Sequence, residues 1–140
     1  MNIRSSKLVV KIGDFGLSRN VYTNDYYKVS RQSAIPVRWY PPESIQYRKF
    51  SIESDVYSLG IFFWEVWTLG KTPFWELNNP QVAECVVEGK RPNKPELCPA
   101  NVFELMKACW AKSPTDRPTV GDLYEKLRRF QSESGEPVKQ

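Results

Sequence analysis

Gly13-Asp14-Phe15-Gly16-Leu17-Ser18-Arg19 opens a stretch that closes on Ile35-Pro36-Val37-Arg38-Trp39-Tyr40-Pro41-Pro42-Glu43. Between these ends, residues 14–43 carry neither the period of two of a strand nor the 3.6 of a helix. Connections this long are uncommon inside a compact domain unless they have a function or are disordered. The content speaks for function: an acidic residue beside a glycine, Tyr22, Tyr26 and Tyr27 within six positions, and an aromatic-proline exit.

Outside this stretch the pattern is helical. Upstream, Leu8-Val9-Val10-Lys11-Ile12 is rich in β-branched residues and reads as one short strand, whose partner is expected before residue 1. Downstream, Ser54 is a candidate N-cap with Asp55 at the positive end of the helix dipole, and Gly70 a candidate C′ residue with Pro73 beyond. The residues between, Val56 to Leu69, are apolar on nearly every face, which predicts a buried central helix. Asn79-Pro80 predicts the start of a second helix that Gly89 stops. Val102, Leu105, Met106 and Cys109 mark a third. Thr119 to Phe130 predicts the last, with Val120, Leu123, Leu127 and Phe130 on one face and a capping-box pair in Thr119 and Asp122. Residues 131–140 are polar and read as a disordered tail.

Composition narrows the function. The chain has 140 residues, 41% hydrophobic and 26% charged, enough for one domain with a core. The net charge of +4 comes from dispersed Lys and Arg, not from a basic block, so a solvated surface is expected and no nucleic-acid partner. Histidine is absent, which removes Ser-His and Cys-His nucleophiles and histidine metal sites. Cys85, Cys98 and Cys109 are odd in number and form no Cys-x-x-Cys, so free thiols are expected. The most apolar run, Leu59 to Leu69, is too short to span a bilayer and contains Glu65.

Asp14-Phe15-Gly16, a tyrosine-bearing loop and Pro41-Pro42-Glu43 together resemble the activation segment of protein kinases. Arg38-Trp39 before the prolines resembles the tyrosine-kinase version, and no Gly-Thr of the serine/threonine type precedes the exit. The spacing of Tyr22, Tyr26 and Tyr27 is similar to receptor kinases of the neurotrophin-receptor (Trk) and insulin-receptor type. Val10-Lys11-Ile12-Gly13 and Tyr47-Arg48-Lys49-Phe50 lean towards the Trk-like branch.

The resemblance implies a mainly α fold, the C-terminal lobe of a two-lobed α+β kinase with a short N-terminal strand. Residues 1–130 would be a partial kinase domain, with the activation segment at 14–43 and the helical lobe at 51–130. It implies that Asp14 is a ligand of Mg²⁺ bridging the phosphates of ATP, with Phe15 packed inward and Gly16 in the turn. Tyr22, Tyr26 and Tyr27 would be phosphorylation sites that order the loop, with Arg19, Lys28, Arg31 and Arg38 as candidate partners. Ile35, Pro36, Val37, Arg38 and Trp39 would form the platform for a substrate peptide; Tyr40 stands where the family more often has Met or a small polar residue. Glu43 would pair with Arg117 of Asp116-Arg117-Pro118, and Asp55 would brace the catalytic loop. The plainer alternatives are a surface Asp in a turn, decorative loop tyrosines, two unrelated charges and simple capping.

Phosphoryl transfer also needs a Gly-rich loop, a strand Lys, its partner Glu and a His-Arg-Asp loop; all would precede residue 1, and Asn2 is not assigned as a second metal ligand. No general base falls in this span, so the isolated chain is expected to be inactive. Without upstream helices, Phe62, Phe63, Trp64 and Trp67 cannot all be covered, which predicts an exposed apolar patch. The resemblance implies, for the complete protein, a receptor tyrosine kinase acting on protein tyrosines from the cytoplasmic side of the plasma membrane. It would be single-pass and dimeric, with phosphotyrosine-binding adaptors as partners. The alternative is a non-catalytic lobe serving as a phosphotyrosine docking or interaction module.

Overall fold

The computed structural model describes residues 9–20 and 26–135. Five helices, α1 (Pro42–Tyr47), α2 (Ile52–Trp67), α3 (Asn79–Glu88), α4 (Ala100–Cys109) and α5 (Val120–Glu133), make up its body. Two three-residue strands, β1 (Tyr26–Lys28) and β2 (Lys49–Ser51), form an antiparallel ribbon at one side. The fold is mainly α, as a kinase-like C-terminal lobe requires.

The core gathers on α2. Val56, Tyr57, Ile61 and Trp64 meet Val82 and Val86 of α3, Val102, Leu105, Met106 and Cys109 of α4, Trp110, and Leu123 of α5. Gly60 is what lets α4 approach. A Cβ there would lie 2.6 Å from Cys109 Cβ and 2.7 Å from Trp110 Nε1. Cover over the rest of α2 is uneven. Trp64 is buried and Phe63 and Trp67 are half-buried, but Phe62 and Val66 are exposed.

The helix ends follow local chemistry with small shifts from expectation. Ser51, not Ser54, caps α2; Ser54 sits at N3, and the two serines satisfy each other's backbone in a capping box. At the other end Leu69, not Gly70, takes the left-handed C′ position, with φ 58°. Gly70 N–H donates to Glu65 O at 2.8 Å and Leu69 N–H to Val66 O at 3.2 Å, the two bonds of a Schellman motif. The cap of α3 is Asn78, one residue before the expected Asn79, and Gly89 ends that helix at φ 104°. Thr119 and Asp122 form a capping box at α5. That helix runs to Glu133, past the expected boundary at Phe130, and Val120 is exposed where its apolar stripe placed it inward.

Two expectations fail. Val9 to Ile12 form no strand; Val9, Val10 and Ile12 are 69%, 90% and 88% exposed. Strand propensity without a partner backbone leaves the ladder unmade. Conversely, the long segment holds β1, and the short α1 begins at its exit and runs past it; periodicity announced neither. Pro41 and Pro42 set the extended entry and first turn of α1, and Arg48 closes it at φ 54°.

Candidate functional site

The two ends of residues 14–43 are held very differently. At the entrance, Asp14 adopts a left-handed conformation (φ 59°, ψ 71°) ahead of a 3-10 turn over Phe15–Leu17. That turn has no buried residue, and the Phe15 ring is 67% exposed. This corrects the expectation that Phe15 packs inward: a single unsupported turn offers its ring no cover. Gly16 follows with room to spare, its nearest contact for a Cβ being Asp14 Oδ1 at 3.6 Å.

At the exit, Glu43 and Arg117 form a bidentate ion pair. Arg117 Nη1 donates to Glu43 Oε1 at 2.7 Å and Nη2 to Oε2 at 2.9 Å. The arginine side chain is fully buried and the glutamate's is 12% exposed. Arg117 also donates to the carbonyls of Ala111 (2.9 Å), Glu53 (3.0 Å) and Lys112 (3.5 Å). It thus joins the end of the segment to the start of α2 and the turn before α5. Its guanidinium lies 5.3 Å from the ring centroid of buried Tyr57, with Arg91 at 5.4 Å. Burial pushes the Tyr57 phenol up to about 12.

Ile35 to Trp39 run into a 3-10 turn over Val37–Trp39. Arg38 turns to the loop between α2 and α3. Its guanidinium donates to Pro73 O (2.9 Å), Phe74 O (2.8 Å), Leu77 O (2.6 Å) and Asn79 Oδ1 (3.2 Å). It fastens the exit to the loop between α2 and α3, so it is spent as a phosphate partner. The Trp39 indole donates to Glu65, and Ser58 Oγ donates to Trp39 O at 2.7 Å. Ile35 and Val37 are half-buried and Pro36 is exposed.

Between the two ends lies a cavity of about 280 Å³ lined by Asp14, Leu17, Ser18, Arg19, Tyr27, Tyr40, Phe50, Ser51, Ile52 and Asp55. It brings together Asp14 and Asp55, forty-one positions apart in sequence. Asp55 stays open to solvent at the mouth, yet desolvation alone pushes its carboxyl above the usual range. Tyr27 stacks on Phe50 with centroids 5.3 Å apart, and Tyr40 meets Phe50 edge-on at 5.2 Å. Burial pushes the phenols of Tyr27 and Tyr40 up, and Asp55 adds to both shifts. Tyr26 faces the other way, with Lys49 Nζ 4.3 Å from its ring centroid. Tyr22 lies outside the described residues. Lys49 is the residue that sequence reasoning passed over; the signal was its place beside Phe50, readable only with the register in hand. A larger cavity, about 740 Å³, lies between the end of α2 and Lys90 to Leu97 and shares no residue with this site.

Among the described residues no three Asp, Glu, Cys or His side chains converge, and no helix is long and apolar enough to cross a membrane.

The family model for protein tyrosine and serine/threonine kinases matches residues 3–127. The high affinity nerve growth factor receptor of Rattus norvegicus is 47% identical over 121 residues, 86% of this chain and 15% of that receptor. The NT-3 growth factor receptor of Gallus gallus is 47% identical over 122 residues, 87% of this chain and again 15% of the relative. The chain therefore spans about 15% of the length of these curated relatives.

Proposed function

The chain belongs to the protein tyrosine and serine/threonine kinase family, and we propose from that premise that it is the C-terminal-lobe portion of a receptor-type tyrosine kinase. In the polypeptide that carries the rest of the domain, the γ-phosphoryl group of ATP passes to a tyrosine hydroxyl of a protein substrate. The observation that carries this reading is the one cavity shared by Asp14, Asp55 and Tyr27, with the segment's exit locked by Glu43 and Arg117. A hard, solvent-facing carboxylate suits Mg²⁺, and one such ligand is enough for an ion held mainly by phosphate oxygens and water. Bound there, Mg²⁺ would neutralise charge on the nucleotide phosphates.

The remaining roles fall to this chain's own residues. Ile35 to Trp39 present the apolar platform along which the substrate peptide extends, with Arg38 fixing its pose from behind. Tyr22, Tyr26 and Tyr27 receive regulatory phosphates, and the modified loop offers phosphotyrosine to adaptor proteins. Asp55 braces the catalytic loop. Identity to two growth factor receptors supports a receptor; we read the complete protein as single-pass and dimerising, with this lobe on the cytoplasmic side.

The test is radiolabel transfer from γ-labelled ATP to tyrosine and serine peptides by the complete polypeptide and by its Asp14→Asn variant. Tyrosine-only transfer, lost by at least 100-fold in the variant, is expected. Serine transfer would refute the tyrosine assignment. No transfer, with retained binding of phosphotyrosine-recognising adaptors, would establish the non-catalytic docking lobe instead.

A further inference from the structure

The wider cavity, at the end of α2, lies apart from Asp14 and Asp55. Its volume is about 740 Å³, within the range of about 300–1,000 Å³ usual for ligand sites. Trp67, Phe74 and Leu77 line it half-buried, and Trp75 and Leu97 line it at 69% and 70% exposure. A single exposed apolar side chain is ordinary on a surface, whereas several gathered in one concavity mark a place where something binds.

Both walls are fixed before any ligand arrives. On one side Arg38 holds the carbonyls of Pro73, Phe74 and Leu77. Phe74 there keeps a left-handed conformation, φ 53°, which a bulky residue adopts only under constraint. On the other side Arg91 to Pro95 is anchored by buried Pro92 and Pro95 and by the Trp64 indole, which donates to Asn93 O at 2.7 Å. Arg91 and Lys94 each precede a proline, which favours an extended backbone. Asn93 and Lys94 are exposed, and their N–H groups meet no acceptor among the described residues. An extended edge with open donors suits an added peptide segment.

The charge is unbalanced. Lys71, Lys90, Arg91 and Lys94 line the cavity against Glu76 and Glu96. Arg91 is engaged by the carbonyls of Val86, Lys90 and Trp110, and Lys90 lies 3.8 Å from Glu88. Lys94 reaches only the Pro95 carbonyl, at 3.5 Å. Neither Lys71 nor Lys94 has a carboxylate at ion-pair distance among the described residues.

We propose that this cavity docks an acidic peptide segment of a partner protein. One apolar side chain of the segment seats against Trp67 and Trp75, and carboxylates on either side of it are received by Lys71 and Lys94. Its backbone carbonyls accept from the N–H groups of Asn93 and Lys94. A compact anion such as phosphate would leave the aromatic lining unused. A flat anionic membrane cannot enter the concavity and would meet Glu76 and Glu96. The site shares no residue with the cavity of Asp14 and Asp55, so it does not rest on the kinase reading.

The experiment titrates the full 140-residue chain with a fluorescein-labelled pentapeptide, phenylalanine flanked on each side by Asp-Glu, and follows anisotropy. Saturable binding is expected below about 1 mM, weakened by added salt. Trp75→Ala should weaken it about tenfold, and Lys71→Gln and Lys94→Gln about threefold each. Because these three side chains are exposed, the urea midpoint should stay in place, which separates lost binding from lost folding. In ¹⁵N-resolved spectra the amide protons of Asn93 and Lys94 should move downfield on binding. The Asn-Gln counterpart of the peptide, and the peptide with alanine for phenylalanine, should each bind at least tenfold more weakly. No saturation by about 1 mM overturns the proposal, as does equal binding of the neutral peptide or an affinity unmoved by Trp75→Ala. Binding to phosphatidylserine vesicles that Trp75→Ala abolishes, with no binding of the peptide, overturns it in favour of a membrane contact.

Discussion

Arg117→Ala is the perturbation whose consequence can be worked furthest. The guanidinium is fully buried and makes five hydrogen bonds, two to the Glu43 carboxylate and three to backbone carbonyls. Breaking one side of a buried pair costs about 3–5 kcal/mol, because the partner charge is left without compensation. Here Glu43 is 12% exposed and gains some water, but the carbonyls of Ala111 and Glu53 lose their donor and the Tyr57 ring its cation. The loss should fall at the upper end of that range. Glu43→Ala leaves a buried cation that keeps its carbonyl acceptors, which places it lower, and Glu43→Gln, which keeps one acceptor, lower still.

A domain of ordinary stability holds about 5–15 kcal/mol in total, so Arg117→Ala removes a large share of it. The assay is urea unfolding of the 140-residue chain followed by tryptophan fluorescence. With a slope of about 1–3 kcal/mol per molar, the midpoint should drop by roughly 2 M. A double-mutant cycle with Glu43→Leu and Arg117→Met isolates the pair. The double variant should recover part of the loss but not all, since the carbonyls of Ala111 and Glu53 remain without a donor. Single-variant losses under about 1 kcal/mol, or losses that simply add, would refute the reasoning.

Leu69→Gly should stabilise the chain by up to about 1 kcal/mol in the same assay, because Leu69 is 85% exposed and sits at φ 58° in a C′ position that glycine occupies without strain. Gly60→Ala should destabilise by about 1–3 kcal/mol or more, since its Cβ would meet Cys109 and Trp110 at under 3 Å. Burial pushes the Cys109 thiol up to about 12 and raises that of Cys98, so a thiol reagent at pH 8 should label half-exposed Cys85 first and the other two only at the rate of unfolding. The Asp55 carboxyl is raised by desolvation, so the folded chain holds that proton to higher pH than the unfolded chain. Stability should then fall as pH rises from the ordinary carboxylate value through the raised one, and Asp55→Asn should flatten that part of the curve.

Much of the fold was legible because it is local. The apolar run from Val56 to Trp67, the Thr119–Asp122 box and the Gly89 stop each declare themselves within a few residues. The shifts at Ser51, Asn78 and Leu69 arise where two residues within one helical turn could serve the same role and packing chose between them. What could not be read depends on distance along the chain. The pairing of Tyr27 with Phe50 joins positions too far apart for periodicity to register, and three residues are too few to show an alternation. The engagement of Arg38 by the α2–α3 loop is hidden for the same reason: its acceptors are mostly backbone carbonyls, which carry no mark in sequence. Val9 to Ile12 show the reverse failure, a local preference with no partner strand among the described residues.

These contrasts give the segment a gradient of stiffness. Its exit is held by the Glu43–Arg117 pair, four bonds from Arg38 and two prolines, a set whose loss costs several kcal/mol. Its middle is held by a ribbon of three residues on each strand, weakened by opposed lysines and supported on one face by the Tyr27–Phe50 stack. A phosphate at the surface changes local free energy by about 1 kcal/mol. That is too little to move the exit, and it falls on a ribbon of only three residues per strand. A charge added to the ribbon therefore acts on β1 and β2 while the turn over Val37–Trp39 stays in place.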